Sequence, residues 1–237
     1  MESSSVVVLI GGGHASGKKS TALWIEREIL SLAEPTPFIE VIDMNSYMDP
    51  STVTKLVDTK ASAITVGNKN LLALKPSRFD FSALKEHIVA SLSDVSTSSQ
   101  KLIIVHGLYA LYDKELRDMS QIKVFIGGDS DTRLIRWIRR DVLGSGEAKL
   151  ETVINSYLHG AKQEMSDYIF PTKEQADVIL PRGAEPNAIQ LIVDGILPYL
   201  GIERMSEPSS SNVLRPNEKS FQNERFDVQK GKYYELN

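Results

Sequence analysis

The sequence predicts an α/β fold of the P-loop NTPase type, a doubly wound parallel sheet with helices on both faces. Three observations predict it. Short strand-like runs, the first of them wholly apolar, alternate with longer helical stretches along the first 200 residues. Apolar runs of that kind suit strands buried on both faces. A glycine-rich segment, Gly12-Gly13-His14-Ala15-Ser16-Gly17-Lys18, lies between the first such run and the first helix, where a phosphate-binding loop belongs.

Taken in order, Val6 to Gly11 reads as a buried strand and Ser20 to Leu32 as a helix, with Leu23, Trp24, Arg27 and Leu30 near one face. Pro35 and Pro37 close that helix. Phe38 to Asp43 is a second strand, and residues 44 to 78 are polar and irregular. Asp80 to Leu92 is a helix, followed by a Ser/Thr-rich loop from Ser93 to Gln100. Leu102 to Val105 and Val124 to Ile126 are the third and fourth strands. A basic helix spans Asp129 to Leu143, a Gly-Ser-Gly break follows at 144–146, and another helix covers Leu150 to Tyr168. Asp177 to Leu180 is the last strand, and Asn187 to Leu197 the last helix. Two parts are expected: residues 1–201 as the folded domain, and 202–237 as a polar tail that is disordered or serves for docking.

Composition excludes several classes. The 237 residues carry 27 Lys+Arg against 31 Asp+Glu, a net charge of −4, which gives no electrostatic reason to expect nucleic-acid binding. Cysteine is absent, so neither disulfides nor thiol catalysis is available. No apolar run approaches membrane-spanning length, and Met1 to Ser5 lacks the features of a signal peptide. An intracellular protein is expected, cytoplasmic and with a nuclear location also compatible.

In the loop, the glycines free backbone N–H groups to wrap an anion, and the helix start adds positive potential. Lys18 is placed to reach β and γ phosphates. The next position calls for a hydroxyl to hold Mg²⁺, but here it is Lys19. Ser20 follows about 100° further round the helix. His14 is expected to contribute only its backbone N–H.

The stretch Asp129 to Val142, then Tyr157, Phe170-Pro171-Thr172-Lys173 and Ala176-Asp177-Val178-Ile179-Leu180-Pro181-Arg182-Gly183, resembles the uridine kinase family in the same order. With the phosphate loop, the resemblance covers roughly residues 6 to 200. It implies transfer of the ATP γ-phosphate to the 5′-hydroxyl of uridine or cytidine, with Mg²⁺ and a lid of arginines. Arg140 is the lid arginine that remains. Arg133, Arg136 and Arg139 read equally as a solvated helix face. Arg182 and Glu185 follow the last strand, where the family's adenine site lies.

The chemical positions depart from the family. Its Asp after the second strand is Asn45 here, with Asp43 the nearby stand-in, and its Glu-Gly-Ile after the third strand is His106-Gly107-Leu108. Asn45 cannot accept a proton as a carboxylate does. His106 is neutral or cationic near pH 7; when protonated it repels Mg²⁺ and adds partial positive charge beside the two lysines. The Asp that would hold the ribose is Leu74, and the hairpin that closes over the base is missing between the helix and the third strand. In the lid, Gly144-Ser145-Gly146-Glu147 replaces Glu-Arg-Gly-Arg, and Trp137 replaces an arginine.

Two functions are compatible with these residues. One is a pseudokinase or weakly active protein that binds ATP or another nucleotide, with Mg²⁺ in doubt, and acts through a partner in pyrimidine salvage. Some family members are fused to a uracil phosphoribosyltransferase domain, which makes such an enzyme the partner by analogy. The other is an active ATP-dependent uridine/cytidine kinase in which Asp43 is recruited. Self-association is left open by the sequence.

Overall fold

The computed structural model describes residues 4–34, 36–48, 76–94, 100–146 and 148–202. Leu74, Glu147, most of the Ser/Thr-rich loop and the tail beyond residue 202 lie outside them.

Among the described residues five strands form one parallel sheet: β1 Ser4–Gly12, β2 Phe38–Asp43, β3 Gln100–His106, β4 Ile122–Ile126 and β5 Val178–Leu180. Their order is β2-β3-β1-β4-β5, so β1 lies at the centre with β3 on one side and β4 on the other. The unbroken apolar run of β1 follows from this place. Val6, Val8 and Ile10 point into one core, and Val7 and Leu9 into a second core on the opposite face.

The first core is closed by α1 (Lys18–Leu32) and by the last long helix, Pro186–Ile196. The second is closed by α2 (Phe81–Ser93) and by the segment from Leu108 to Leu116, which includes the short α3 (Lys114–Asp118). Asp80 caps α2, its carboxylate accepting from Ala83 N at 2.9 Å. Covering on both faces is the doubly wound arrangement that the alternating pattern predicts.

Two expectations are corrected. On α1 the buried face is Thr21, Ala22, Ile25 and Ile29, whereas Leu23 and Leu30 are exposed. Small residues on the sheet side let the helix approach the strands closely. The basic helix is α4, Ser130–Ile138, and continues as a π-helical turn over Arg139–Gly144. Its Arg133 and Trp137 are buried, whereas Arg136 and Arg139 are exposed, so the solvated-face reading fails for Arg133 alone. The following helix, α5 (Leu150–Ser156), runs on through mixed helical turns to Ile169.

Candidate active site

All five strands run the same way, so the loops that follow them gather at one edge of the sheet. There a cleft of about 610 Å³ is lined by Ala15, Ser16, Gly17, Lys18, Lys19, Ser20, Leu23, Asp43, Asn45, His106, Arg136 and Arg140.

The floor is the loop after β1. Gly12 has φ 143°, and a Cβ on it would stand 2.4 Å from the Ile126 carbonyl oxygen, so no other residue fits. Gly17 caps α1 at φ 99°. Ala15 takes a left-handed φ of 54°, unusual for a residue with a Cβ. Ser16 Oγ is buried and has no hydrogen-bond partner among the described residues, which leaves a hydroxyl at the loop for an incoming oxygen anion. Lys18 Nζ folds back to donate to Gly13 O at 2.7 Å. Burial, with Arg133 and Arg140 nearby, pushes the Lys18 ammonium down from 10.5 to about 7, against the pull of Asp43 and Glu164.

The walls come from β2 and β3. Asp43 and His106 are register partners at the ends of these strands. Asp43 Oδ1 accepts from Asn45 N at 2.9 Å, and lies 4.0 Å from His106 Nδ1. Burial pushes the His106 imidazole below its ordinary range, with Asp43 opposing and Lys18 and Lys19 reinforcing. That shift favours the neutral imidazole of the two states the sequence left open.

The arginine helix supplies the third side. Arg136 Nη1 stands 3.4 Å from Ser16 O. Arg133 donates to Gly128 O at 3.2 Å and packs directly against Gly13. Arg140 lines the cleft, with its Nε 2.5 Å from Asp141 Oδ1. Arg182 and Glu185 are exposed in the turn after β5 and are not among the residues lining the cleft.

His14 departs from its expected backbone-only role. Its ring nitrogen Nε2 is 2.8 Å from Glu164 Oε2, and its ring stacks on Trp137 at 5.2 Å. Glu164, Arg78 and Tyr109 were not assigned a role from the sequence: Arg78 and Tyr109 lie in or beside segments that resemble family motifs, but neither stands at a position given a role there, and Glu164 is a single polar residue with no motif around it.

A magnesium ion asks for oxygen ligands in near-octahedral array. Lys19 replaces the hydroxyl, and among the described residues lining the cleft only Asp43 carries a carboxylate. That donor set does not fit a magnesium centre, whereas the glycine loop, the orphan Ser16 hydroxyl and the surrounding cations fit a polyphosphate.

Comparison with known proteins agrees with this geometry. Residues 87–188 match the model of the Phosphoribulokinase / Uridine kinase family. DAS2 of Saccharomyces cerevisiae, provisionally named a uridine kinase, is 31% identical over 247 residues, covering 100% of this chain and 97% of that protein. Uridine-cytidine kinase B of Dictyostelium discoideum is 32% identical, covering 89% of this chain and 88% of that one. The uridine kinase of Streptococcus pneumoniae is 32% identical, covering 87% of this chain and all of that one. A crystal structure from Silicibacter, provisionally named a fructose transport system kinase, aligns at TM-score 0.51 with 15% identity. It covers 75% of this chain and 90% of that one, and speaks to the fold alone. With a phosphate loop in the central cleft and full-length similarity to these kinases, the chain belongs to the phosphoribulokinase/uridine kinase family.

Proposed function

We propose that this chain binds ATP or a related nucleotide in the cleft but transfers phosphate to a nucleoside weakly or not at all. The observation that carries this reading is the meeting of Lys19, Asn45 and His106 in one cleft. They stand where the family resemblance calls for a hydroxyl and two carboxylates. Phosphoryl transfer depends on positioning and on charge stabilisation around the γ-phosphate, and changing all three positions removes much of both.

On this reading the protein acts through a partner in pyrimidine salvage, in the cytoplasm. By analogy with fused family members, the partner is a uracil phosphoribosyltransferase, and residues 202–237 are the docking segment attached to the 1–201 domain.

Asp43 supports a second reading, an active uridine/cytidine kinase. It is a carboxylate at the cleft wall, 4.0 Å from the imidazole of His106. A neutral imidazole beside a carboxylate can accept a hydroxyl proton. The full-length similarity to proteins named uridine kinases also favours this reading.

The test is to incubate purified protein with ATP, Mg²⁺ and uridine or cytidine, while calorimetry follows nucleotide binding. We expect binding with turnover far below the roughly 1–100 s⁻¹ of working kinases. Turnover inside that range would establish the second reading. Mixing the same preparation with the phosphoribosyltransferase, with and without the tail, tests the partner; no association in either case removes it.

A further inference from the structure

Outside the cleft lining, three polar side chains from separate stretches of chain converge on one carboxylate. Glu164, in the helical segment after α5, is 1% exposed. Its Oε2 pairs with His14 Nε2 of the phosphate loop at 2.8 Å. Its Oε1 accepts from Arg78 Nη2 at 2.7 Å and from the Tyr109 hydroxyl at 2.5 Å. Arg78 ends the turn just before α2, and Tyr109 lies three residues past His106. None of Glu164, Arg78 and Tyr109 lines the nucleotide cleft.

A buried ion pair is poor evidence of stability, because an apolar replacement of equal volume often serves as well. What it does supply is a fixed direction and distance. Burial works to raise the Glu164 carboxyl, but His14, Arg78 and Tyr109 outweigh it and hold the group anionic. Its charge is balanced by Arg78, so its influence on an anion in the cleft is exerted through geometry.

That geometry reaches the loop at its strained point. Ala15, the residue after His14, holds φ 54°. A residue with a Cβ stays in the left-handed region only where its surroundings fix it there. His14 is anchored on two sides, by Glu164 and by the stack on Trp137, whose planes lie 15° apart. Trp137 Nε1 donates to Asp141 Oδ2 at 2.8 Å, and Asp141 accepts from Arg140 in the cleft. A continuous set of contacts therefore runs from Glu164 to the loop backbone and on to the cleft arginine.

We infer that Glu164 is a positioning residue for nucleotide binding: through His14 it fixes the phosphate loop, and through the His14–Trp137 stack it sets the arginine helix against that loop. The inference rests on the nucleotide-binding reading above. It assigns a task to a side chain that does not touch the ligand.

The experiment is calorimetric titration of ATP into the full chain and into His14→Ala, His14→Gln, Glu164→Gln and the Ala/Gln double variant, each with its thermal midpoint recorded. His14→Ala should weaken binding about tenfold, whereas His14→Gln, whose amide can still donate to Oε2, should stay within about threefold. Against Glu164→Gln, the His14→Ala change should cost less than about twofold more, because the two act through one contact. The inference is overturned if His14→Ala alone stays within about twofold, or if His14→Ala and His14→Gln weaken binding equally. A lower midpoint with unchanged affinity would mark the cluster as structural only and overturn it too. The His14 variants, at a partly exposed loop position, decide the matter even if Glu164→Gln does not fold. If the unmodified chain binds no ATP, the nucleotide reading fails and takes the inference with it; if it binds ATP and the variants match it, the inference alone fails.

Discussion

Raising the pH from 7 to 9 should weaken nucleotide binding by about 50-fold, through Lys18. In the ligand-free cleft its ammonium is pushed down to about 7, chiefly by burial and then by Arg133 and Arg140. Half of the free molecules then carry a neutral Lys18 at pH 7, and roughly one in a hundred a charged one at pH 9. A polyphosphate beside Nζ restores the charged form, so the complex holds more protons than the free chain. The sign follows: affinity is full below pH 7 and falls as the pH rises, until the lysine of the complex itself titrates. With a free value of about 7 and a bound value above about 10, the factor between pH 7 and 9 is (1 + 100)/(1 + 1), about 50.

Calorimetry in buffers of different ionisation enthalpy measures the proton directly. Uptake should be about 0.5 at pH 7 and about 0.9 at pH 8. His14 and His106 are both held below the ordinary histidine value, by burial first, so the neutral imidazole is favoured in the free chain over this range. Lys18→Arg, whose guanidinium does not deprotonate, should remove the dependence above pH 7. Affinity at pH 9 within about threefold of that at pH 7, or no proton uptake at pH 8, would refute the reasoning.

Two further outcomes are expected. Adding EDTA should change nucleotide affinity by less than about tenfold, and Lys19→Thr should weaken metal-free binding while introducing dependence on Mg²⁺; loss of all binding in EDTA by the unmodified chain would show that Asp43 holds a metal. Gly107→Ala should destabilise the fold by about 1–3 kcal/mol in denaturant unfolding, because a Cβ there would stand 2.4 Å from Met44 Cβ; unchanged stability would show that Met44 can move aside.

The sheet was legible because its central strands are covered on both faces, which leaves a continuous apolar run such as Val6 to Ile10 as its trace. The loop was legible because a glycine-rich turn between strand and helix has few other uses. The buried face of α1 was not, since Leu23 and Leu30 are as apolar as Ile25 and Ile29, and only the small Thr21 and Ala22 mark the side that meets the sheet. α3, at five residues, is too short to show a period. The Glu164 cluster had no sequence signal: His14 and Glu164 lie 150 positions apart, and each alone reads as a polar residue in a loop or helix. Tertiary folding brings them together, and sequence periodicity carries no information on such pairs.

The charges around the loop argue that it is a binding device in its own right. Lys18 and Lys19 start α1, and Arg133, Arg136 and Arg140 face the loop from the helix beside it. Like charges at this spacing repel, and the helix start adds further positive potential. Asp43 and Glu164 are the carboxylates that offset Lys18, yet Glu164 is already engaged by Arg78. In the free chain this repulsion and burial lower the Lys18 ammonium to about 7, and its Nζ donates to Gly13 O. A polyanion removes the cause of that strain, so the cationic loop favours an anionic ligand without any help from the acceptor side. On the proposed reading, binding and transfer rest on different residues: Lys18 and the Glu164–His14 contact serve the first, Asn45 and His106 occupy the places of the second, and Lys19 belongs to both. On that reading, substitutions at Asn45 and His106 can accumulate without loss of nucleotide binding, which would let a kinase fold persist as a nucleotide-responsive protein.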